Sequence, residues 1–126
     1  MTKGQIPSEV RDFILTKVRS VWALEVLLLL RRESSRAWTL NELTKELRSS
    51  HAAVTEAMLQ FQNAGLIADQ GSAGFRYHAT SEKDDAIVEQ LGEIYSTTPM
   101  TLIKEIVTAP RSGIERFADA FKLKKD

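Results

Sequence analysis

The chain has no cysteine. That absence excludes disulfides, thiolate zinc sites and cysteine nucleophiles, and it suits the cytoplasm, the localisation expected here. Histidine is nearly absent too: only His51 and His78 occur, without cysteine partners and without the spacing of a helical metal pair. No metal and no cofactor is therefore expected. Neither charge is in excess, because 17 Lys plus Arg balance 17 Asp plus Glu. Such a balance argues against a generic polyanion binder or a membrane-surface binder. The apolar run 26–30 is far short of the roughly 20 residues that span a bilayer. Residues 1–5 lead into no apolar segment of the signal-peptide kind. No carboxylate pair or Ser/His/Asp set stands out, and Gly71 and Gly74 lack the strand–loop–helix setting of a phosphate loop. The chain reads as no enzyme.

What is present is an ordinary globular composition, 43% apolar and 27% charged over 126 residues. That length suits one domain rather than two. The clearest stretch is 49–67. Ser50 is a good N-cap; Val54, Ala57, Met58 and Phe61 recur at helical spacing; Gly65 can enter the left-handed conformation that ends a helix. The expected helix is 50–64. Before it, Thr39 and Glu42 form a capping box that opens a short helix to Leu47, with residues 48–50 as the turn. After it, extended residues on either side of Gly71 and Gly74 predict a hairpin, with Phe75, Tyr77 and Ala79 on one face and Arg76 and His78 on the other. Ala37–Thr39 can add a short first strand. Helix, turn, helix and hairpin wing in that order predict a winged helix-turn-helix: mainly α with a small β-hairpin wing.

The flanks extend this unit, so 1–126 reads as a single domain, with the core at about 20–80, an N-terminal helix at 8–19 and C-terminal helices at 81–126. Ser8 is expected to cap the first helix, while Ser20 either caps a second or lies inside a continuous one. Residues 21–32 are apolar around nearly the whole circumference and must be covered all round. The chain's own terminal helices can do this, or a second subunit can, through Val21, Trp22, Val26 and Leu29 with Phe117 and Phe121. Glu25 reads as an exposed gap with Arg32 as a weak partner. Ser81 with Glu82, Asp84 and Asp85 starts a helix, Thr98-Pro99 starts another that Pro110 breaks, and Ser112 to Glu115 is a second capping box. It opens a last helix with Ile114, Phe117, Ala118 and Phe121 on one face.

Residues 21–79 resemble the winged helix-turn-helix transcriptional regulators of bacteria, of the MarR and ArsR kind. The resemblance rests on the 39–47 helix, Ser50, Val54-Thr55-Glu56-Ala57-Met58, and the closure Ala64-Gly65-Leu66-Ile67. It implies a recognition helix in the major groove of double-stranded DNA, phosphate contacts from the wing, and a homodimer built from flanking helices. On that reading Ser49, His51, Thr55, Glu56 and Gln60 lie near bases, Arg36, Arg48 and Arg76 meet phosphates, and Ser50 caps the helix or hydrogen-bonds phosphate. The alternative for His51 is an idle surface residue. The chain departs from the pattern where such regulators carry Lys or Arg, since those positions hold Glu56, Leu59, Gln60 and Ala64. Residues 36–80 carry four cations and four carboxylates, so a single copy should bind DNA weakly. The alternative use of the same fold is a protein–protein interaction module, with Leu59 serving the partner.

Overall fold

The computed structural model describes residues 6–108. Within them the chain is mainly helical with one small antiparallel hairpin. Helix α1 spans Ser8–Lys17, α2 Val21–Arg32, α3 Leu40–Leu47, α4 His51–Asn63, α5 Glu82–Thr97 and α6 Pro99–Thr108. Strands β1 (Ile67–Asp69) and β2 (Phe75–Tyr77) form the hairpin.

The first helix corrects one expectation. Pro7, not Ser8, is the N-cap residue; no side chain caps this end, and the Pro7 carbonyl accepts the Arg11 N–H at 3.0 Å. A proline ring fixes φ at about −65°, a value compatible with the extended conformation that Pro7 takes as a cap. The open question at Ser20 resolves as two helices. Val18 is extended, and Ser20 Oγ accepts the Ala23 N–H at 3.0 Å as the N-cap of α2.

The capping box forms as expected: Thr39 Oγ1 accepts the Glu42 N–H at 3.1 Å and Glu42 Oε1 accepts the Thr39 N–H at 2.9 Å. Helix α3 stops at Arg48, which adopts φ 51° in the left-handed region. Placing a non-glycine residue there costs about 1 kcal/mol. Ser50 Oγ then accepts the Ala53 N–H at 3.0 Å and starts α4. At the far end, Gly65 takes φ 78°, its N–H reaches the Gln62 carbonyl, and the Leu66 N–H reaches the Phe61 carbonyl at 2.9 Å. This paired closure satisfies carbonyls that the helix end would otherwise orphan.

In the hairpin Ile67 faces Tyr77, Ala68 faces Arg76 and Asp69 faces Phe75. The expected strand at Ala37–Thr39 shrinks to one residue: Trp38 and Phe75 exchange two backbone hydrogen bonds, both 2.7 Å. Gly74 makes this approach possible. A Cβ built on it would lie 2.0 Å from the Trp38 carbonyl oxygen, and its φ is 106°.

Most of the apolar surface of helix α2 is enclosed by the chain itself. Leu24, Leu27 and Leu30 are buried in one core with Leu43, Val54, Met58, Phe61, Leu66, Leu91 and Leu102. Helix α2 packs against β2 and α6. Helix α5 approaches it closely enough that a Cβ on Gly92 would sit 3.6 Å from Leu28 Cδ2. Val26 and Leu29 are therefore corrected as dimer residues: they are 0% and 8% exposed inside the single chain. Burying such side chains stabilises by about 2 kcal/mol each, which the monomer already gains. Val21 and Trp22 remain half-buried at the start of α2. Glu25 is not an empty gap, because Tyr95 Oη donates to its carboxylate at 2.7 Å, and this bond raises the Tyr95 pKa. The expected last helix, with Phe117 and Phe121, lies outside the described residues. No described helix is long and apolar enough to cross a membrane.

Candidate nucleic-acid interface

Helix α4 buries Val54, Ala57, Met58 and Phe61. The helical period turns Ala52, Glu56, Leu59 and Asn63 to the opposite side, and all four are exposed. This outward face holds one charge, Glu56, and one large apolar side chain, Leu59, which is 53% exposed.

His51 is exposed at the start of the helix. It lines a cleft of about 400 Å³ with Leu40, Asn41 and the hairpin-tip residues Asp69, Gly71 and Ser72. Thr55 is half-buried, and its Oγ1 donates to the His51 carbonyl at 2.8 Å, leaving the hydroxyl only as an acceptor for a ligand. Ser50 serves as the cap. Ser49 is half-buried in the turn, with its N–H on the Thr44 carbonyl at 3.2 Å. Gln60 is on the flank rather than the outward face: it lines a groove with Thr16, Lys17 and Asn63, toward the end of α1. The helical period separates Gln60 from His51 and Thr55, so the five expected base-side residues do not share one face.

The three expected phosphate contacts also part company. Arg36 is held within the chain. Its guanidinium lies 3.7 Å from the Trp38 ring centroid, and its Nη2 is 3.0 Å from Glu42 Oε1. The Glu42 carboxyl is held below its ordinary range, first by the Thr39 N–H and also by Arg36. Arg36 therefore braces the start of α3, and its charge is matched before any phosphate arrives. Arg76 does lie on the exposed face of β2, where its Nε donates to the Ser34 carbonyl at 2.8 Å. That bond anchors the side chain without neutralising it. Arg48 is exposed in the α3–α4 turn, as is Lys45 one turn earlier.

Beneath the hairpin is a polar cluster that sequence reasoning missed. Tyr77 Oη donates to Asp85 Oδ1 at 2.6 Å, while Arg31 Nε and Nη2 donate to the two Asp85 oxygens at 3.0 and 3.3 Å. Two donors hold the Asp85 carboxyl below its ordinary range, Arg31 first and Tyr77 second. Burial, then the Asp85 contact, pushes the Tyr77 phenol up. The cluster joins β2, α2 and α5, and so fixes the hairpin against the helical body. Sequence offered only Asp85 as a favourable charge at a helix start; its partners are distant in the chain. Among the described residues no group of His, Asp and Glu converges as a metal site. No family model, curated protein or solved structure matches the chain.

Proposed function

We propose that this chain is a DNA-binding regulator that uses a winged helix-turn-helix: α3 and α4 as the helix pair, α4 in the major groove, and the β1–β2 hairpin as the wing on phosphates. The observation that carries the reading is the arrangement around α4. A tight left-handed turn bearing exposed Arg48 precedes the capped helix, and a braced hairpin bearing exposed Arg76 follows it. Cations before and after an exposed helix suit phosphate contacts that position the helix over base edges. His51, Thr55 and Glu56 are the residues offered to bases; Gln60 and Arg36 are withdrawn from the site for the geometric reasons above. A homodimer would double the footprint, with Val21 and Trp22 as its described residues.

Affinity on this reading is weak and its salt dependence shallow. Contacts from Lys45, Arg48 and Arg76 amount to about three phosphates per copy, a log–log salt slope of roughly −2.7. Fluorescence anisotropy with generic duplexes from low to physiological salt measures that slope. Arg48→Ala should make it shallower by about one and weaken all duplexes alike. A parent protein that binds no duplex even at the lowest salt ends the DNA reading. The protein-interaction reading then stands, and it has its own support in Leu59, exposed on the outward face of α4.

A further inference from the structure

Helix α6 buries Leu102 and Ile106 against the body and leaves a second apolar stripe outside. Met100 and Val107 are 71% and 67% exposed. With half-buried Ile103 they line a shallow groove of about 340 Å³, completed by Thr101, Lys104 and Thr108. Nothing among the described residues covers this stripe.

The sequence directly after α6 supplies a matching stripe. Pro110 cannot continue a helix, because its ring clashes with the preceding turn and it has no N–H to donate. Ser112 and Glu115 then form the capping-box pattern, and Ile114, Phe117, Ala118 and Phe121 follow on one helical face. The spacings mirror one another. Folding the chain back between Pro110 and Arg111 sets Val107 opposite Ile114, Ile103 opposite Ala118, and Met100 opposite Phe121. Phe117 shares the same face and flanks the small Ala118. A connection over 109–112 falls within the two to five or so residues that usually join antiparallel helices. A helix over 113–122 would also be about as long as α6, at roughly 1.5 Å per residue.

We infer that the outer face of α6 is the docking site for the chain's own segment 112–121, which folds back as an antiparallel helix with Ile114, Phe117, Ala118 and Phe121 against Met100, Ile103 and Val107. The short connection keeps the start of the segment beside this groove, and the groove's apolar stripe has the spacing that the segment requires. The inference is independent of whether the protein binds DNA.

The absence of cysteine allows a direct test in the full chain. Two double variants are compared under mild oxidation at low micromolar concentration: Ile103→Cys with Ala118→Cys, and Ile103→Cys with Arg116→Cys. Arg116 is as close along the chain but lies on the opposite side of the inferred helix. A disulfide needs Cβ atoms within about 4.5 Å, so the Ala118 pair should close within the monomer roughly tenfold faster than the Arg116 pair. Thermal unfolding of the reduced variants checks that both retain the parent fold. Equal closure rates would mean a segment without a fixed register, and predominant covalent dimers would mean that a second copy occupies the face. Absence of disulfide in well-folded variants would mean that the segment docks elsewhere. Each of these three results overturns the inference.

Discussion

At Gly74 one hydrogen atom separates a hairpin from no hairpin. The backbone there passes so close to Trp38 that a Cβ would lie 2.0 Å from its carbonyl oxygen and 2.6 Å from the Thr39 nitrogen. No rotamer relieves that clash, since both neighbours are backbone. Gly74→Ala should therefore destabilise by about 3 kcal/mol, from the forced positive φ together with loss of the Trp38–Phe75 bridge. Urea unfolding followed by tryptophan fluorescence measures it, and an unchanged midpoint would contradict this geometry. Gly65 was legible from sequence because a glycine closing an amphipathic helix has a local signature. Gly74 was legible only as a turn residue. Its contact with Trp38 joins positions far apart in the chain, and no local pattern records such a contact.

On the proposed reading the element that would meet DNA is α4, and the weak affinity expected of it is local and testable. Leu59 is exposed on the outward face, where the resembling regulators carry cations. Leu59→Arg should leave stability within about 0.5 kcal/mol, as exposed substitutions usually do. It should tighten binding to every duplex and steepen the log–log salt slope by about 0.9, since one more phosphate is neutralised. Anisotropy titrations of parent and variant at two salt concentrations decide it; identical slopes would place α4 away from the duplex. Helix α2 carries a different lesson. Its all-round apolar pattern states that it must be covered, but not by what. Val26 and Leu29 are buried within the single chain, so those side chains stabilise the chain itself rather than an assembly.

On the scale of the whole molecule, the Arg31–Asp85–Tyr77 cluster ties the hairpin to two helices and gives stability a dependence on pH. The Asp85 carboxyl is depressed in the folded state, so its stabilisation is present above the unfolded value near 3.9 and fades as acid lowers the pH through the folded value. The Tyr77 phenol is raised, so its contribution holds below the unfolded value near 10 and fades as alkali carries the pH through the folded one. Asp85→Asn should cost about 1 kcal/mol near neutral pH, a figure reduced for the partial exposure of the pair. It should also flatten the acid limb of the stability curve. Urea midpoints at pH 7 and pH 3 for parent and variant test this, and parallel losses would remove Asp85 from the acid response.

The sequence by itself determined the helices with strong local punctuation. Ser50 and Gly65 bracket α4, Thr39 and Glu42 open α3, and Ser81 opens α5, because caps act over three or four residues of chain. It also determined the alternation that turns Tyr77 inward and Arg76 outward, a property of any paired strand. Tertiary structure alone decided which charges are available. Arg36 and Arg76 look alike in sequence, yet one stacks on Trp38 beside Glu42 and the other keeps its charge at the surface. Tertiary structure also moved Gln60 to the α1 side, gave Glu25 a partner in Tyr95, and closed the body over Val26 and Leu29. Each of these outcomes depends on the packing of elements distant in the chain, and a pattern of period 3.6 or 2 specifies a face without naming what will meet it.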